Sequence, residues 1–173
     1  MKCYENFPKK MVILTVFYTV IMYGIGAYIL AWLPFGFLWS ILYIVYVIIM
    51  EILILKKSCV NCYYYGRLCA FGRGKVCALF FKKGDPEKFA AREIKMRDLL
   101  PDFMVVILPV VGGIILLILN FNWIILVLLI ILVLLFLVGN PFIRGSIACK
   151  YCKQKELGCP AAKAFDKMRE KKN

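Results

Sequence analysis

The chain has 173 residues, of which 63% are hydrophobic, with 23 Lys+Arg against 10 Asp+Glu, no His and 8 Cys. Soluble domains are about half apolar and roughly a quarter charged, so a single water-soluble core is excluded, and this hydrophobicity also excludes intrinsic disorder. A net charge of +13 fits such a chain only if charged and apolar residues occupy different segments, and residues 11–50 and 103–143 indeed carry no charge.

From the N-terminus, a short segment with Lys2, Cys3, Lys9 and Lys10 leads into the first uncharged stretch. About 20 helical residues cross a bilayer core about 30 Å thick. One helix over the whole stretch would run roughly 60 Å, so the stretch must fold back. Leu33-Pro34-Phe35-Gly36 places turn residues near its middle. The expected spans are about 11–32 and 37–55. A cleaved signal peptide has an apolar region of only about 7–15 residues. This run is longer and passes directly into a second span, so it is expected to remain as an anchor. Glu51 is the one acidic residue embedded in a span. An intramembrane carboxylate is a functional candidate, although snorkelling toward Lys56 or the headgroups is the simpler expectation near a span end.

A loop over 56–102 follows, with Cys59, Cys62, Cys69 and Cys77. Tyr63-Tyr64-Tyr65 with Arg67, Arg73 and Lys75 mixes aromatic and basic side chains. At a membrane surface these serve as interface anchors, and nucleic-acid binding is disfavoured. Gly72-Arg73-Gly74-Lys75 lacks the phosphate-loop pattern. It can still form a tight turn that presents backbone N–H groups to the cysteines, and such bonds tune thiolate metal sites. Asp85 and Pro86 are a helix cap and a first helical residue, so a helix is expected over about 86–100, ended by Pro101. With Phe89, Met96 and Leu100 beside Lys88, Arg92 and Lys95, it reads either as a surface helix drawn to anionic lipid or as a solvated connector.

Asn120-Phe121-Asn122 divides the second uncharged stretch into spans of about 103–119 and 123–139. Pro109, Gly112 and Gly113 suit either a broken transporter-like helix or, more commonly, close helix packing. Trp32, Trp39 and Trp123 all lie beside the two turns, as suits indole at the membrane–water interface. The tail from residue 140 carries Cys149, Cys152 and Cys159.

Orientation follows from the cations. The N-terminal segment holds three Lys or Arg, the loop 56–102 eleven and the tail 140–173 nine, which is every basic residue in the chain. Basic residues near span ends stay on the cytoplasmic side. The expected protein is therefore all-α and multi-pass, in the plasma membrane, with both termini and the cysteine-rich loop and tail in the cytoplasm.

Cys59-Val60-Asn61-Cys62 is followed by Cys69, and Cys149-Lys150-Tyr151-Cys152 by Cys159, so C-x2-C-x6-C occurs twice at an offset of 90 residues. The simplest account is duplication of one unit, a hairpin followed by a cysteine motif. The units would be residues 1–102 and 103–173, and the four spans two tandem hairpins.

In a reducing compartment the cysteines are not expected to form a disulfide framework. Thiolates are ligands of choice for zinc and for iron–sulfur clusters, and eight cysteines match two four-thiolate sites. One partition uses Cys59, Cys62, Cys69 and Cys77, leaving Cys3 to join Cys149, Cys152 and Cys159. The other follows the repeat and brings Cys59 and Cys62 to Cys149 and Cys152. Common ferredoxin spacings are absent, and with no His each site must be all-cysteine or completed by an acid or an exogenous ligand. Cys3 also suits a small hydrophobe or a juxtamembrane acylation site. The expected function is a metal-binding cap, zinc or iron–sulfur, with a structural or partner-docking role. Its counterparts are the lipid bilayer, anionic lipid on the cytoplasmic side, and a protein partner or second copy of the chain. An iron–sulfur cluster would make the role electron transfer. The enzymatic alternative is thiol–disulfide oxidoreduction through Cys59/Cys62 or Cys149/Cys152, with thiol pKa values lowered by Lys56, Lys57, Lys150 and Lys153.

Overall fold

The computed structural model describes residues 3–91 and 96–160, and among these the architecture is all-helical. Four helical stretches are long and apolar enough to cross a membrane: Lys9–Ala31, Gly36–Asn61, Leu100–Leu119 and Trp123–Cys149. In chain order the helices are α1 (Lys9–Ala31), α2 (Gly36–Lys57), α3 (Arg73–Phe80), α4 (Pro86–Ala91), α5 (Met96–Leu119), α6 (Trp123–Leu134), α7 (Asn140–Phe142) and α8 (Lys153–Glu156). A short 3-10 turn over Cys59–Asn61 follows α2.

Both breaks within the uncharged stretches fall at the expected turn residues. Between α1 and α2, Phe35 adopts φ 59, a left-handed conformation uncommon for a bulky side chain. Gly36 follows because nothing larger fits: an added Cβ would stand 1.9 Å from the Ala31 carbonyl oxygen. Between α5 and α6, the Asn122 side chain accepts the Ile124 N–H at 2.9 Å and caps α6. Trp32, Trp39 and Trp123 are exposed beside these turns.

Two boundaries differ from the sequence expectation. Pro101 does not end a helix, for α5 runs from Met96 through Pro101 and Pro109 to Leu119. A helical proline removes one N–H and orphans the carbonyl four residues earlier. For Pro109 that carbonyl is Val105, and the buried Tyr43 hydroxyl donates to it at 2.9 Å. Spans tolerate proline where a neighbouring group makes good the lost bond in this way. Tyr46 donates to the carbonyl of Pro101 itself at 2.9 Å. The fourth apolar helix was expected to end near residue 139, yet helical winding continues to Cys149. Leu135–Gly139 and Ile143–Cys149 adopt the wider π winding on either side of α7. Pro141 has no N–H for a regular bond to Leu137, and such a change of register is the usual form of a π-bulge. Arg144 therefore belongs to a helix rather than to a free tail. The helix expected over about 86–100 begins as expected, since Asp85 Oδ1 accepts the Glu87 N–H at 2.9 Å. Its first part is α4, Arg92 and Lys95 lie outside the described residues, and Met96 already belongs to α5.

The chain divides into two compact units that do not coincide with the sequence halves 1–102 and 103–173. One comprises Phe17–Glu51 and Arg97–Phe142, the most apolar segments, and is centred on Met22, Ile29, Val106 and Leu132. Here Gly112 and Gly113 serve close packing. A Cβ at Gly112 would stand 2.7 Å from Leu30 Cδ2, and one at Gly113 would stand 3.2 Å from Ile29 Cγ2. Glu51 accepts a hydrogen bond from the Tyr23 hydroxyl at 2.9 Å. The other unit gathers the N-terminal residues to Val16, the segment Ile52–Met96 and the segment that begins at Ile143. All eight cysteines fall in this unit.

Candidate thiol-rich site

Tyr64 is the centre of the cysteine-bearing unit. It is only 2% exposed and packs with Phe7, Val12, Ala70 and Ala148, while Cys62, Cys69 and Cys152 pack against this core. Its hydroxyl donates to the Tyr4 carbonyl at 2.5 Å and accepts the Lys153 N–H at 3.0 Å. One phenol thus joins the N-terminal segment, the first cysteine loop and the second cysteine segment. Tyr4 adds a second tie, for its N–H donates to the Tyr151 carbonyl at 3.0 Å and it pairs with Cys152 in a parallel bridge. Gln154, 3% exposed, supplies a third, with Oε1 accepting the Tyr63 N–H at 2.7 Å. A buried amide is stable only when so satisfied.

Both C-x2-C segments close the same kind of turn. The Cys62 N–H donates to the Cys59 carbonyl at 3.2 Å, and the Cys152 N–H to the Cys149 carbonyl at 3.4 Å. The likeness extends to sulfur: the Cys62 thiol meets the backbone N–H groups of Tyr63 and Tyr64, and the Cys152 thiol that of Gln154. Cys62 and Cys152 are equivalent positions of the 90-residue repeat. The glycine pair forms the expected tight turn. Gly72, at φ 71, leads into α3, and the Gly74 N–H points to Cys69 Sγ at 3.4 Å. Cys77 is buried on α3, and its thiol donates to the Leu55 carbonyl at 3.7 Å.

The cysteines form a continuous run of neighbours. Cys59 interacts electrostatically with Cys62, Cys69 and Cys77. Cys62 interacts with Cys69 and Cys159, and Cys152 with Cys62, Cys159 and Cys149. Seven cysteines from both copies are thereby linked, with Cys62 and Cys152 at the junction, so the run includes neighbours from each of the two partitions drawn from sequence. Cys3 is directed elsewhere, its thiol donating to Glu156 Oε1 at 3.2 Å. All eight are free thiols. Among the described residues, no three Cys, Asp or Glu side chains stand in an arrangement that would hold a metal ion. A cleft of about 470 Å3 opens beside Cys62, bordered by Tyr63, Tyr65, Arg67, Lys83 and Gln154.

Burial governs the thiol chemistry. Desolvation pushes Cys62 up to about 11 and Cys152 up to about 12, and backbone N–H groups offset this only in part. Burial raises Cys77 too, whereas Cys3 is raised first by its hydrogen bond to Glu156. Lowering of the thiol pKa by flanking lysines is thus not what prevails. Lys153 pairs with Glu5 at 3.3 Å, and Lys150 lies 5.6 Å over the Tyr151 ring. In the metal-free protein, iodoacetamide at pH 8 is expected to alkylate Cys62 about 100-fold and Cys152 about 1000-fold more slowly than a free thiol. Equal rates, read by mass spectrometry of the labelled peptides, would refute the burial argument. Keeping these thiols neutral favours the fold fully below pH 9, the ordinary thiol value, and this contribution is lost as pH rises through about 11 to 12.

Sequence reasoning named the cysteines but missed Tyr64 and Gln154 as the residues that hold the two copies together. Tyr64 was visible only as one of three consecutive tyrosines, and nothing in the sequence around Gln154 marks it for burial. Set beside known protein families, curated proteins and solved structures, the chain matches none. The class defined by fold and site is an all-helical, cysteine-rich chain with four helices long and apolar enough to cross a membrane.

Proposed function

We propose that this is a multi-pass membrane protein whose two cysteine segments together bind a thiophilic metal, zinc or an iron–sulfur cluster, in a structural or partner-docking role. The observation that carries the reading is the pairing of Cys62 with Cys152. They are equivalent positions of the repeat, they are neighbours, and each sulfur is backed by backbone N–H groups. Such N–H bonds stabilise sulfur ligands once they are deprotonated. A metal displaces the thiol protons as it binds. The ligand pool is Cys59, Cys62, Cys69, Cys77, Cys149, Cys152 and Cys159, with Cys3 held nearby by the bridge of Tyr4 to Cys152. Zinc takes four such thiolates in a tetrahedron, and an iron–sulfur cluster would give the site an electron-transfer role. Thiol–disulfide exchange is the weaker reading, because it needs a thiolate and these thiols are held protonated.

The charge pattern supports a cytoplasmic placement of the cysteine segments: no basic residue lies in either inter-span turn. The 90-residue repeat, with a turn at the middle of each uncharged stretch, supports duplication of a hairpin unit. The protein should be purified anaerobically and assayed for zinc, iron, acid-labile sulfide and visible absorption. The expected result is a stoichiometric metal centre that Cys62→Ser and Cys152→Ser each remove. Brown colour with iron and sulfide identifies a cluster, and colourless protein with zinc identifies the ion. Metal-free protein with a reversible dithiol–disulfide couple would overturn the reading in favour of the oxidoreductase. Labelling of Cys149 or Cys159 by an impermeant maleimide added outside intact cells would overturn the orientation.

A further inference from the structure

Helix α3 carries an apolar face that nothing among the described residues of its own unit covers. Val76, Leu79 and Phe80 lie on one side at helical spacing, and Leu79 and Phe80 are 80% and 74% exposed. Gly74 and Cys77, on the other side, are buried. The buried side meets the last turn of α2, where the Cys77 thiol donates to the Leu55 carbonyl. Two residues later α2 ends at Lys56 and Lys57, the basic exit expected where a span meets the headgroups. Along the chain, the charge from the end of α2 through α3 to Lys83 has one sign. Between Glu51 and Asp85 the sequence holds Lys56, Lys57, Arg67, Arg73, Lys75, Lys82 and Lys83 and no acidic residue. Lys75, Lys82 and Lys83 are exposed beside the apolar face.

We infer that α3 is an interfacial helix that sinks Val76, Leu79 and Phe80 into the bilayer surface and holds anionic lipid headgroups with Lys75, Lys82 and Lys83. Apolar residues inserted at the acyl boundary and flanked by lysines are the features by which short helices lie in an interface. Basic residues near an anionic leaflet add electrostatic attraction. Bulky apolar side chains held at a span end are removed from water by lipid already present there.

The test uses the full chain, with Trp32, Trp39 and Trp123 changed to Phe and Leu79→Trp as the probe, reconstituted in vesicles containing about one third phosphatidylglycerol. Emission from position 79 is expected to be quenched by lipids brominated near the glycerol end of the acyl chain and to be protected from aqueous iodide. Iodide quenching without bromolipid quenching overturns the inference. Shielding from both quenchers also overturns it, in favour of a protein partner or a second copy over α3. Because four substitutions can disturb folding, the unmodified chain supplies a second readout. Trypsin cleavage after Lys75, Lys82 and Lys83 is expected to be about tenfold slower in these vesicles than in pure phosphatidylcholine. Equal rates in the two lipids overturn the role given to the anionic headgroups. Cys77 of α3 belongs to the proposed ligand pool, so both lipid comparisons are made at one fixed metal content, and only the lipid then differs.

Discussion

Gly74→Ala is expected to dismantle the cysteine loop. A Cβ at this position would stand 2.1 Å from the Tyr64 carbonyl oxygen and 2.5 Å from that of Arg67. Both are backbone atoms, so no side-chain rotation relieves the clash. The turn is also pinned from each side, for the Gly66 N–H donates to the Gly74 carbonyl at 3.0 Å and the Arg67 N–H to the Tyr64 carbonyl at 3.0 Å. Relief requires α3 to move away from Tyr64. That breaks the Gly74 N–H contact to Cys69 Sγ and pulls Cys77 from Leu55. Overpacking of this kind costs about 3 kcal/mol or more when the neighbour cannot yield. Gly145→Ala is the matched control, because nothing lies within 4 Å of a Cβ there, and its effect should stay within about 0.5 kcal/mol. The readout is alkylation of buried Cys77 together with thermal melting in detergent. The alanine variant at 74 should expose Cys77, while the control behaves as wild type. Equal melting and equal Cys77 protection in the two variants would show that the α3 turn is not built as described.

The spans and their turns were legible in the sequence because their causes are local. Charge-free stretches too long for one helix demand a turn, and Leu33-Pro34-Phe35-Gly36 and Asn120-Phe121-Asn122 supply the chemistry for one. Pro101 misled for the opposite reason. Whether a helix runs on through proline depends on partners elsewhere, as at Pro109, where Tyr43 serves the Val105 carbonyl from 62 residues away. The same division runs through the candidate site. The residue type and the 90-residue repeat named the cysteines, and the glycine turn near Cys69 could be read from Gly72 and Gly74. The protonation of the thiols could not, because flanking lysines are visible in sequence whereas desolvation is a property of the packed unit. Tyr64 shows the gap most clearly. In sequence it equals Tyr63 and Tyr65, yet it is the buried member of the three, and its hydroxyl joins three segments.

Tyr64→Phe should therefore loosen the tie between the two cysteine copies while leaving their packing in place. The ring keeps its contacts with Phe7 and Ala70, so no cavity forms, but the Lys153 N–H and the Tyr4 carbonyl lose their shared partner. An unsatisfied buried polar group costs about 1–3 kcal/mol, and because Tyr4 and Lys153 are half-buried the loss for the pair in metal-free protein is about 2 kcal/mol. Gln154→Leu should add a related loss, because the Tyr63 N–H is left without its acceptor. The two changes sever neighbouring ties between the same segments, so the double variant should lose less than the sum, by about 0.5–3 kcal/mol. Hydrogen exchange at the Lys153 amide is the direct readout. It should quicken in Tyr64→Phe while amides of α6 exchange as in wild type. Wild-type protection at Lys153 together with unchanged melting would remove Tyr64 from its place at the centre of the site. On the proposed function, a bound metal would hold the same two segments through sulfur, and the metal-loaded variant should then lose less stability than the metal-free one. An identical loss in both forms would mean that the metal does not bridge Cys62 and Cys152.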